Sequence, residues 1–262
     1  MAKPVEERDL VRALSRGLDV ILAFSKHRPR MTLSEVADAT GLSKPTARRL
    51  LLTLIDRGYA NAVGRTFALT PRVLALGYAY LSSLNLTEIA QPFMEHVVEE
   101  TGASCALTTL DGTEVVYLMR LSTHRITGLT LATGTRLPAH AMSLGHVVLA
   151  DLGPGELDRY LAKADLAAFT ARTITSREAL LSRLEEVRRQ GWAIADQELE
   201  DGRRAIAAPV RDASGKVIAA MGRSAPTTTG IARMREEMLP SLLVGARRTS
   251  EQLGADFAPG SS

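Results

Sequence analysis

Between Ser43 and Arg57, helical spacing puts Lys44, Thr46, Arg48 and Arg49 on one face and Ala47, Leu50, Leu51, Leu54 and Ile55 on the other. The apolar back can pack on its own domain. The cationic, hydroxyl-bearing front can neutralise phosphates and reach base edges, which is what a helix lying in a DNA major groove requires. Such a face also occurs as plain solvated surface, so the neighbouring residues must decide.

Those neighbours form a frame around it. Thr32 is a candidate N-cap, and Glu35 three residues on completes a capping box. Leu33, Val36 and Ala37 give the capped helix one apolar side, and Gly41 supplies the left-handed turn that ends it. Ser43 is placed to cap the next helix, with Pro45 tolerated in its first turn. Small residues at Ala37, Gly41 and Ala47 allow the two helices to cross closely. Gly58 stops the second helix. Tyr59–Val63 and Thr66–Leu69 then read as a hairpin wing turning at Gly64-Arg65. A preceding helix over 9–25 carries Val11, Leu14, Leu18, Ile21 and Leu22 as an inward stripe. Off that stripe, Arg12 and Arg16 are open to solvent or to phosphate, and a basic loop, 26–30, follows. The candidate DNA-contact residues are Arg16, Thr32, Ser43, Lys44, Thr46, Arg48, Arg49 and, at the wing tip, Arg65.

Charge supports the division. Residues 1–80 hold 13 Lys and Arg against 7 Asp and Glu; the rest of the 262-residue chain holds 19 against 22. A basic module joined to a mildly acidic one implies that only the first meets a polyanion. Aromatic content of 4% argues against stacking recognition of single strands. The single cysteine, Cys105, excludes a disulfide framework and fits a reducing cytoplasm. No apolar run is long enough for a membrane span, and no signal peptide is visible at the N-terminus.

Downstream, helices are expected over 71–83, packed on more than one side through Leu74, Leu76, Tyr78, Tyr80 and Leu81, and over 86–100, with Ile89, Phe93, Val97 and Val98 inward. Strands follow at Ala103–Leu110 and Glu114–Leu121 around Asp111-Gly112, then at Thr127–Ala132; Gly134–Pro138 is a turn. Further strands are expected at Trp192–Asp196, Ala205–Val210 and Val217–Gly222. Ser176 caps a helix ending at Gly191, and a last helix runs 231–253. The fold class is α+β: a winged helix-turn-helix domain (1–70), a helical linker (71–101) and an α/β domain with an antiparallel sheet (102–262).

The chain resembles IclR-family bacterial transcription regulators over essentially its whole length. The resemblance rests on VRALSRGLDVILAF at 11–24, the winged motif, GTRLPAHAMSLGHVVLADL at 134–152, and 172–212 from RTITSREALLSRLEEV to GRRAIAAPVRD. Within the family, THRITGLTLATGTRLPAHAMSLGHVVLA at 123–150 and GWAIADQELEDGRRAIAAPV at 191–210 are similar to the PcaR, PcaU and PobR subgroup, regulators of protocatechuate and 4-hydroxybenzoate catabolism through the β-ketoadipate pathway. That subgroup commonly has Thr-Ser-Met-Gly-Arg where Met142–His146 stands, Leu or Val at Arg203 and a small hydroxyl residue at Gly222. The resemblance implies a homodimer or dimer of dimers on double-stranded operator DNA, and a GAF-like effector domain without cofactor, metal or catalytic residues. Its pocket is implied at Ile126–Leu129, Ser143-Leu144, Asp196–Ala205 and Met221–Ser224.

A small carboxylic acid, aromatic or β-ketoadipate-like, needs cations or N–H groups for its carboxylate and an apolar wall for its carbons. Arg203, Arg204 and Arg223 are the cationic candidates, with His140. Ser143, Ser224 and Asp196 can hydrogen-bond, and Ile126, Leu129, Leu144 and Ala205 can form the wall. Each arginine has an alternative ion-pair partner among Glu198, Glu200, Asp201 and Asp212. Arg223, in an otherwise apolar strand, is the favoured anchor because an unpaired charge there is costly. A hydrolase of small esters using Ser143 with His140 or His146 is the reading from another class. AMSLG is not a G-x-S-x-G elbow, and histidines six apart are not an i,i+4 metal pair.

Overall fold

In the computed structural model, the described residues are 10–25, 27–76, 86–122 and 132–257. The chain divides into two units, Met1–Ser83 and Leu84–Ser262.

The first unit contains α1 (Arg12–Leu22), β1 (Met31–Thr32), α2 (Leu33–Thr40), α3 (Lys44–Asp56), β2 (Ala60–Val63) and β3 (Thr66–Leu69). Its core gathers Val20, Met31, Val36, Ala37, Ala47 and Leu51. The capping box at Thr32 is formed: Glu35 N–H donates to Thr32 Oγ1, and Thr32 N–H donates to Glu35 Oε2 at 2.6 Å. These bonds hold the Glu35 carboxyl below its usual range. Gly41 closes α2 at φ +65°. Ser43 occupies the N-cap of α3, but its hydroxyl lies 2.9 Å from Thr46 Oγ1 instead of bonding a backbone N–H of the helix.

Two expectations for this unit change. The α1 stripe is not inward: Val11, Leu14, Leu18 and Leu22 are exposed, Ile21 is half-buried, and Val20 is the buried residue. The small core is filled from another side of the helix by Val20, Ala23 and Phe24, so the stripe lies outside this core among the described residues. The wing also has a third strand. Met31 pairs with Phe67 and Thr32 with Thr66, giving the order β1-β3-β2. A two-residue strand is too short to leave a periodic signal.

After the wing, Pro71–Val73 forms a 3₁₀ turn. Leu74 and Leu76, expected inside, are exposed; Tyr78, Tyr80 and Leu81 lie outside the described residues, as does the strand expected from Thr127 to 131.

The second unit opens with α4 (Leu86–Thr101), which buries Leu86, Ala90, Met94, Val97 and Val98 and keeps Ile89 and Phe93 at the margin. Its sheet comprises β4 (Cys105–Asp111), β5 (Glu114–Leu121), β6 (Arg136–Pro138), β7 (Ala193–Asp196), β8 (Arg203–Arg211) and β9 (Val217–Pro226). All neighbours are antiparallel, in the order β6-β5-β4-β9-β8-β7. Where a turn was expected at 134–138, Arg136–Pro138 pairs as β6 along β5.

Strand alternation separates two faces. Against one pack α4 and α8 (Leu239–Gln252): a Cβ on Gly245 of α8 would meet Val97 and the Met221 sulfur. Against the other packs α5 (Ser143–Asp151): a Cβ on Gly222 would lie 2.7 Å from Leu144 Cδ2. Behind α5, α6 (Pro154–Lys163) and α7 (Arg177–Gln190, capped by Ser176) complete a core containing Val147, Leu157, Leu180 and Leu184. The last helix is not continuous. A π turn, Met234–Met238, separates Ile231–Arg233 from α8. Pro240 explains it, since proline lacks the N–H and its ring clashes one turn back.

Among the described residues, no helix is long and apolar enough to cross a membrane.

Candidate functional site

The first unit presents its cations outward. Lys44, Arg48 and Arg49 on α3, Arg65 at the wing tip and Arg16 on α1 are exposed, and none makes an ion pair among the described residues. The burial of Ala47 and Leu51 fixes which side of α3 faces out. Thr46 and Ser43 hydrogen-bond each other at the start of α3 and keep spare donor and acceptor capacity toward solvent. Thr32 differs. Its hydroxyl accepts from Glu35 N–H and lies 2.8 Å from Glu35 Oε2, so its side chain serves the cap of α2. Cations that no protein carboxylate neutralises, on a helix seated by its opposite face, can bind a phosphate backbone and read a groove.

The second unit holds a cavity of about 120 Å³ on the α5 side of the sheet. Ser143, Leu144, Arg203, Arg204, Ala205, Arg223 and Ser224, all expected there, border it. Ile126 and Leu129 lie outside the described residues. His140 and Asp196 do not border it. The buried His140 places Nε2 3.0 Å from the Ala167 carbonyl and its ring against Phe169, a structural role. Asp196 accepts from Arg204 Nε at 2.6 Å and from Arg172 Nη1, which hold its carboxyl below the usual range.

The arginines separate sharply. Arg204 is spent on Asp196 and on the carbonyls of Thr227 and Thr229. Arg203 lies 3.3 Å from Glu200. Arg223, the favoured anchor, belongs to the other face of the sheet. It is register partner to Cys105 and Ile206, whereas Gly222 and Ser224, which alternate with it, face α5. The Glu100 carboxylate of α4 and Cys105 are the groups that favour its charge, and burial opposes it. Its Nε and Nη1 still lack hydrogen-bond partners. Arg223 is thus buried with two guanidinium nitrogens unbonded, and although the residue borders the cavity, strand alternation puts its side chain on the face opposite Gly222 and Ser224.

Among the lining residues not named as candidates, Arg120 and Tyr117 lie outside every expected pocket segment, and Glu198 lies within the expected segment Asp196–Ala205. Arg120 pairs across the ladder with Ala106, which shares the face of Gly222, so it stands on the cavity side. It is half-buried and makes no hydrogen bond or ion pair among the described residues. Its charge draws the buried Tyr117 hydroxyl downward, but desolvation wins and lifts that pKa to about 12.

Glu198 is buried in the loop before β8. Oε1 accepts from Arg183 Nη1 at 3.2 Å, while Oε2 has no hydrogen bond. His146 Nε2 lies 3.6 Å from Oε2, and that group already donates to the His140 carbonyl at 2.7 Å. Burial pushes Glu198 up to about 7, with Arg183 opposing, and pushes His146 down to about 4. Thr170 and Thr173 donate to the carbonyls of Gln197 and Glu198, and Gln197 is held at φ +62°. The loop is therefore pinned, not draped. Ser143 Oγ, at the start of α5, also lacks a partner. Both histidines donate through Nε2 to carbonyls, and Ser143 Oγ and His146 Nδ1 each lack a hydrogen-bond partner, so no Ser–His hydrogen bond is made at Ser143.

Comparison with known proteins agrees with this two-part arrangement. The family model "Bacterial transcriptional regulator IclR C-terminal" matches residues 78–255, and "IclR helix-turn-helix domain" matches 13–64. The Pca regulon regulatory protein of Pseudomonas putida is 39% identical, covering 94% of this chain and 85% of that one. A solved structure from Rhodococcus sp. RHA1 has a TM-score of 0.83 at 46% identity, covering 93% and 98%. An IclR homolog of Microbacterium hydrocarbonoxydans, complexed with 4-hydroxybenzoate, has a TM-score of 0.82 at 28% identity, covering 92% and 98%.

Proposed function

The chain belongs to the IclR family of bacterial transcriptional regulators, and we propose that it controls aromatic-acid catabolic genes by binding operator DNA in response to a small carboxylic acid. The division of labour is DNA contact by 1–70, linkage by 71–101 and effector binding by 102–262. The observation that carries this reading is the presence in one chain of two unsatisfied sites. One is an exposed cationic face on α3 without acidic partners among the described residues; the other is a cavity bordered by Ser143, Glu198 and Arg223, each with a buried polar atom that lacks a hydrogen bond. Buried polar groups without partners cost stability unless something supplies the bond. The acid is of the 4-hydroxybenzoate and protocatechuate class or a β-ketoadipate-like dicarboxylate, in keeping with the 4-hydroxybenzoate held by the Microbacterium homolog and the Pca regulator of Pseudomonas.

The working form is a homodimer or dimer of dimers in the cytoplasm. Supporting this, α1 leaves Val11, Leu14, Leu18 and Leu22 exposed in the protomer, a stripe that a second copy can cover. Paired recognition helices then read half-sites about one helical turn apart, and the acid alters their fit.

Fluorescence anisotropy on the duplex upstream of the chain's own gene tests the proposal. Binding is expected to be sequence-specific, weakened by salt and shifted by 4-hydroxybenzoate, protocatechuate or 3-oxoadipate. Failure to prefer that duplex over unrelated DNA, or indifference to every acid in the panel, overturns it.

A further inference from the structure

We propose that acids reach the cavity through a notch at one end of the sheet, and that Arg203 is the gate of that notch, exchanging its partner Glu200 for the carboxylate of the incoming ligand. The inference rests on the acid-binding reading given above and adds the route the acid takes and the residue that admits it.

The route follows from the strand ends. β4 stops where Cys105 pairs with Arg223, whereas β9 continues to Pro226 alongside β8. Beyond Cys105, the side of β9 that β4 would cover has no strand against it among the described residues, and the sheet is notched at this corner. On one side of the notch lies the cavity of about 120 Å³. On the other lies a cleft of about 770 Å³, walled by the end of α4 at Glu100, by Asp201-Gly202 and by the π turn at Glu237 and Met238. Five residues border both spaces: Ser104, Glu200, Arg203, Arg223 and Ser224. All five belong to this corner. Ser104 directly precedes β4, Arg223 and Ser224 lie near the end of β9, and Arg203 opens β8 with Glu200 in the loop before it. The cleft and the cavity therefore meet at the notch.

Charge decides what controls it. The cleft carries Glu100, Glu200, Asp201 and Glu237 against Arg203, Arg223 and Arg233. Arg233 is bonded to Glu237 at 2.7 Å, and Arg223 is buried. An anion approaching this mouth is repelled unless a cation there comes free.

Arg203 can come free. It alternates with Arg204 and shares a sheet face with Ala205, so it stands on the cavity side. Its Nε lies 3.3 Å from Glu200 Oε2, both side chains are partly exposed, and no hydrogen bond fixes the guanidinium among the described residues. An ion pair so open to water is weakly held. The next residue, Arg204, is fixed by Asp196 and two carbonyls and cannot swing. As a carboxylate enters, Arg203 trades one anion for another, and the half-exposed Glu200 turns to water. No charge is left unpaired in the throat during the exchange.

Surface plasmon resonance of the full chain against 4-hydroxybenzoate, protocatechuate and 3-oxoadipate is the test, read on whichever acid binds. Ala103 borders the cleft but not the cavity. Ala103→Trp is expected to slow association and dissociation alike by about tenfold, with the equilibrium constant held within about threefold. Arg203→Leu is expected to slow association by about tenfold and to flatten its salt dependence. Glu200→Gln, which releases the gate, is expected to speed association by about threefold. Structural damage neither flattens a salt slope nor speeds binding. An unchanged association rate in Ala103→Trp overturns the route. An unchanged association rate in Arg203→Leu or Glu200→Gln, or a salt slope in Arg203→Leu as steep as that of wild type, overturns the gate. Binding of none of the three acids by wild type overturns the acid-binding reading beneath both.

Discussion

The α3 face and the effector cavity use the same residue, arginine, in opposite ways. Arg48 and Arg49 are exposed, unpaired and cheap to keep, because water solvates them until a phosphate arrives. The arginines around the cavity differ among themselves. Arg204 is bonded to Asp196 and two carbonyls, Arg203 is beside Glu200, and Arg223 is buried with its Nε and Nη1 lacking hydrogen bonds. An exposed arginine's role follows from which side of one helix it occupies. A buried one's role follows from the sheet face it occupies, and that depends on strands far apart in the chain.

The largest effect that can sharpen this contrast comes from backbone crowding beside the cavity. A Cβ on Gly145 of α5 would sit 2.0 Å from the Ala139 carbonyl oxygen. Gly145→Ala is expected to destabilise the second unit by about 3 kcal/mol or more. Trp192, the chain's one tryptophan, lies in that unit and reports its denaturation midpoint by fluorescence. An unchanged midpoint breaks the description of α5 as rigidly seated.

Next in size is the α3 face. Arg49→Ala is expected to cost about 1–3 kcal/mol of operator affinity if it reads a guanine, with the Trp192 unfolding midpoint unmoved. If affinity falls equally for operator and unrelated duplexes, Arg49 is a phosphate contact and not a reader.

Arg223 gives a smaller effect of opposite sign. Replacing a buried cation that lacks partners by an apolar side chain removes an unpaid desolvation cost. Arg223→Leu is expected to raise stability by about 1 kcal/mol and to leave acid affinity intact. Loss of acid binding in that folded variant returns Arg223 to the cavity and breaks the assignment by sheet face.

The smallest effect is a slope in pH. Glu198 is raised to about 7 from 4.5, so the native state holds its proton across that interval and its contribution declines as pH rises through it. His146 is lowered to about 4 from 6.5, so its contribution grows as pH rises from about 4 to 6.5. The two oppose each other between 4.5 and 6.5. Glu198→Gln removes the declining half, so the variant's stability is expected to climb more steeply than wild type over that window, as read by denaturant midpoints. Parallel profiles count against a buried, titrating Glu198.

The same contrast explains what could be read in advance. Thr32-Glu35, Gly41 and the Gly64-Arg65 tip are short-range signals, and the helices and wing followed from them. The strands of the second unit were legible for the same reason, around the Asp111-Gly112 hairpin and in the long runs of β8 and β9. Arg120 was not, because only its pairing with Ala106, and that of Ala106 with Gly222, places it on the cavity side of the sheet. Arg223 was expected to need a partner or a ligand; the residue borders the cavity, but the sheet face its side chain takes follows from its pairing with Cys105 and Ile206 and could not be read in advance. The α1 stripe showed amphipathicity, but periodicity does not say whether the covering surface is the chain's own. Glu198 was named as an ion-pair partner inside the expected pocket segment Asp196–Ala205; the state of its second oxygen was not legible, because it depends on the His146 proton, which the His140 carbonyl engages.

Thr32 ends β1, pairs with Thr66 on the wing and caps α2 with the same residue. Helix initiation and closure of the wing therefore share a nucleation point. Closing the chain from Thr32 to Thr66 encloses both helices of the motif in one loop, so neither is expected to persist alone as the wing frays. The module should appear in hydrogen exchange as one cooperative foldon, with amide protection in α2 and β3 lost at a common opening free energy.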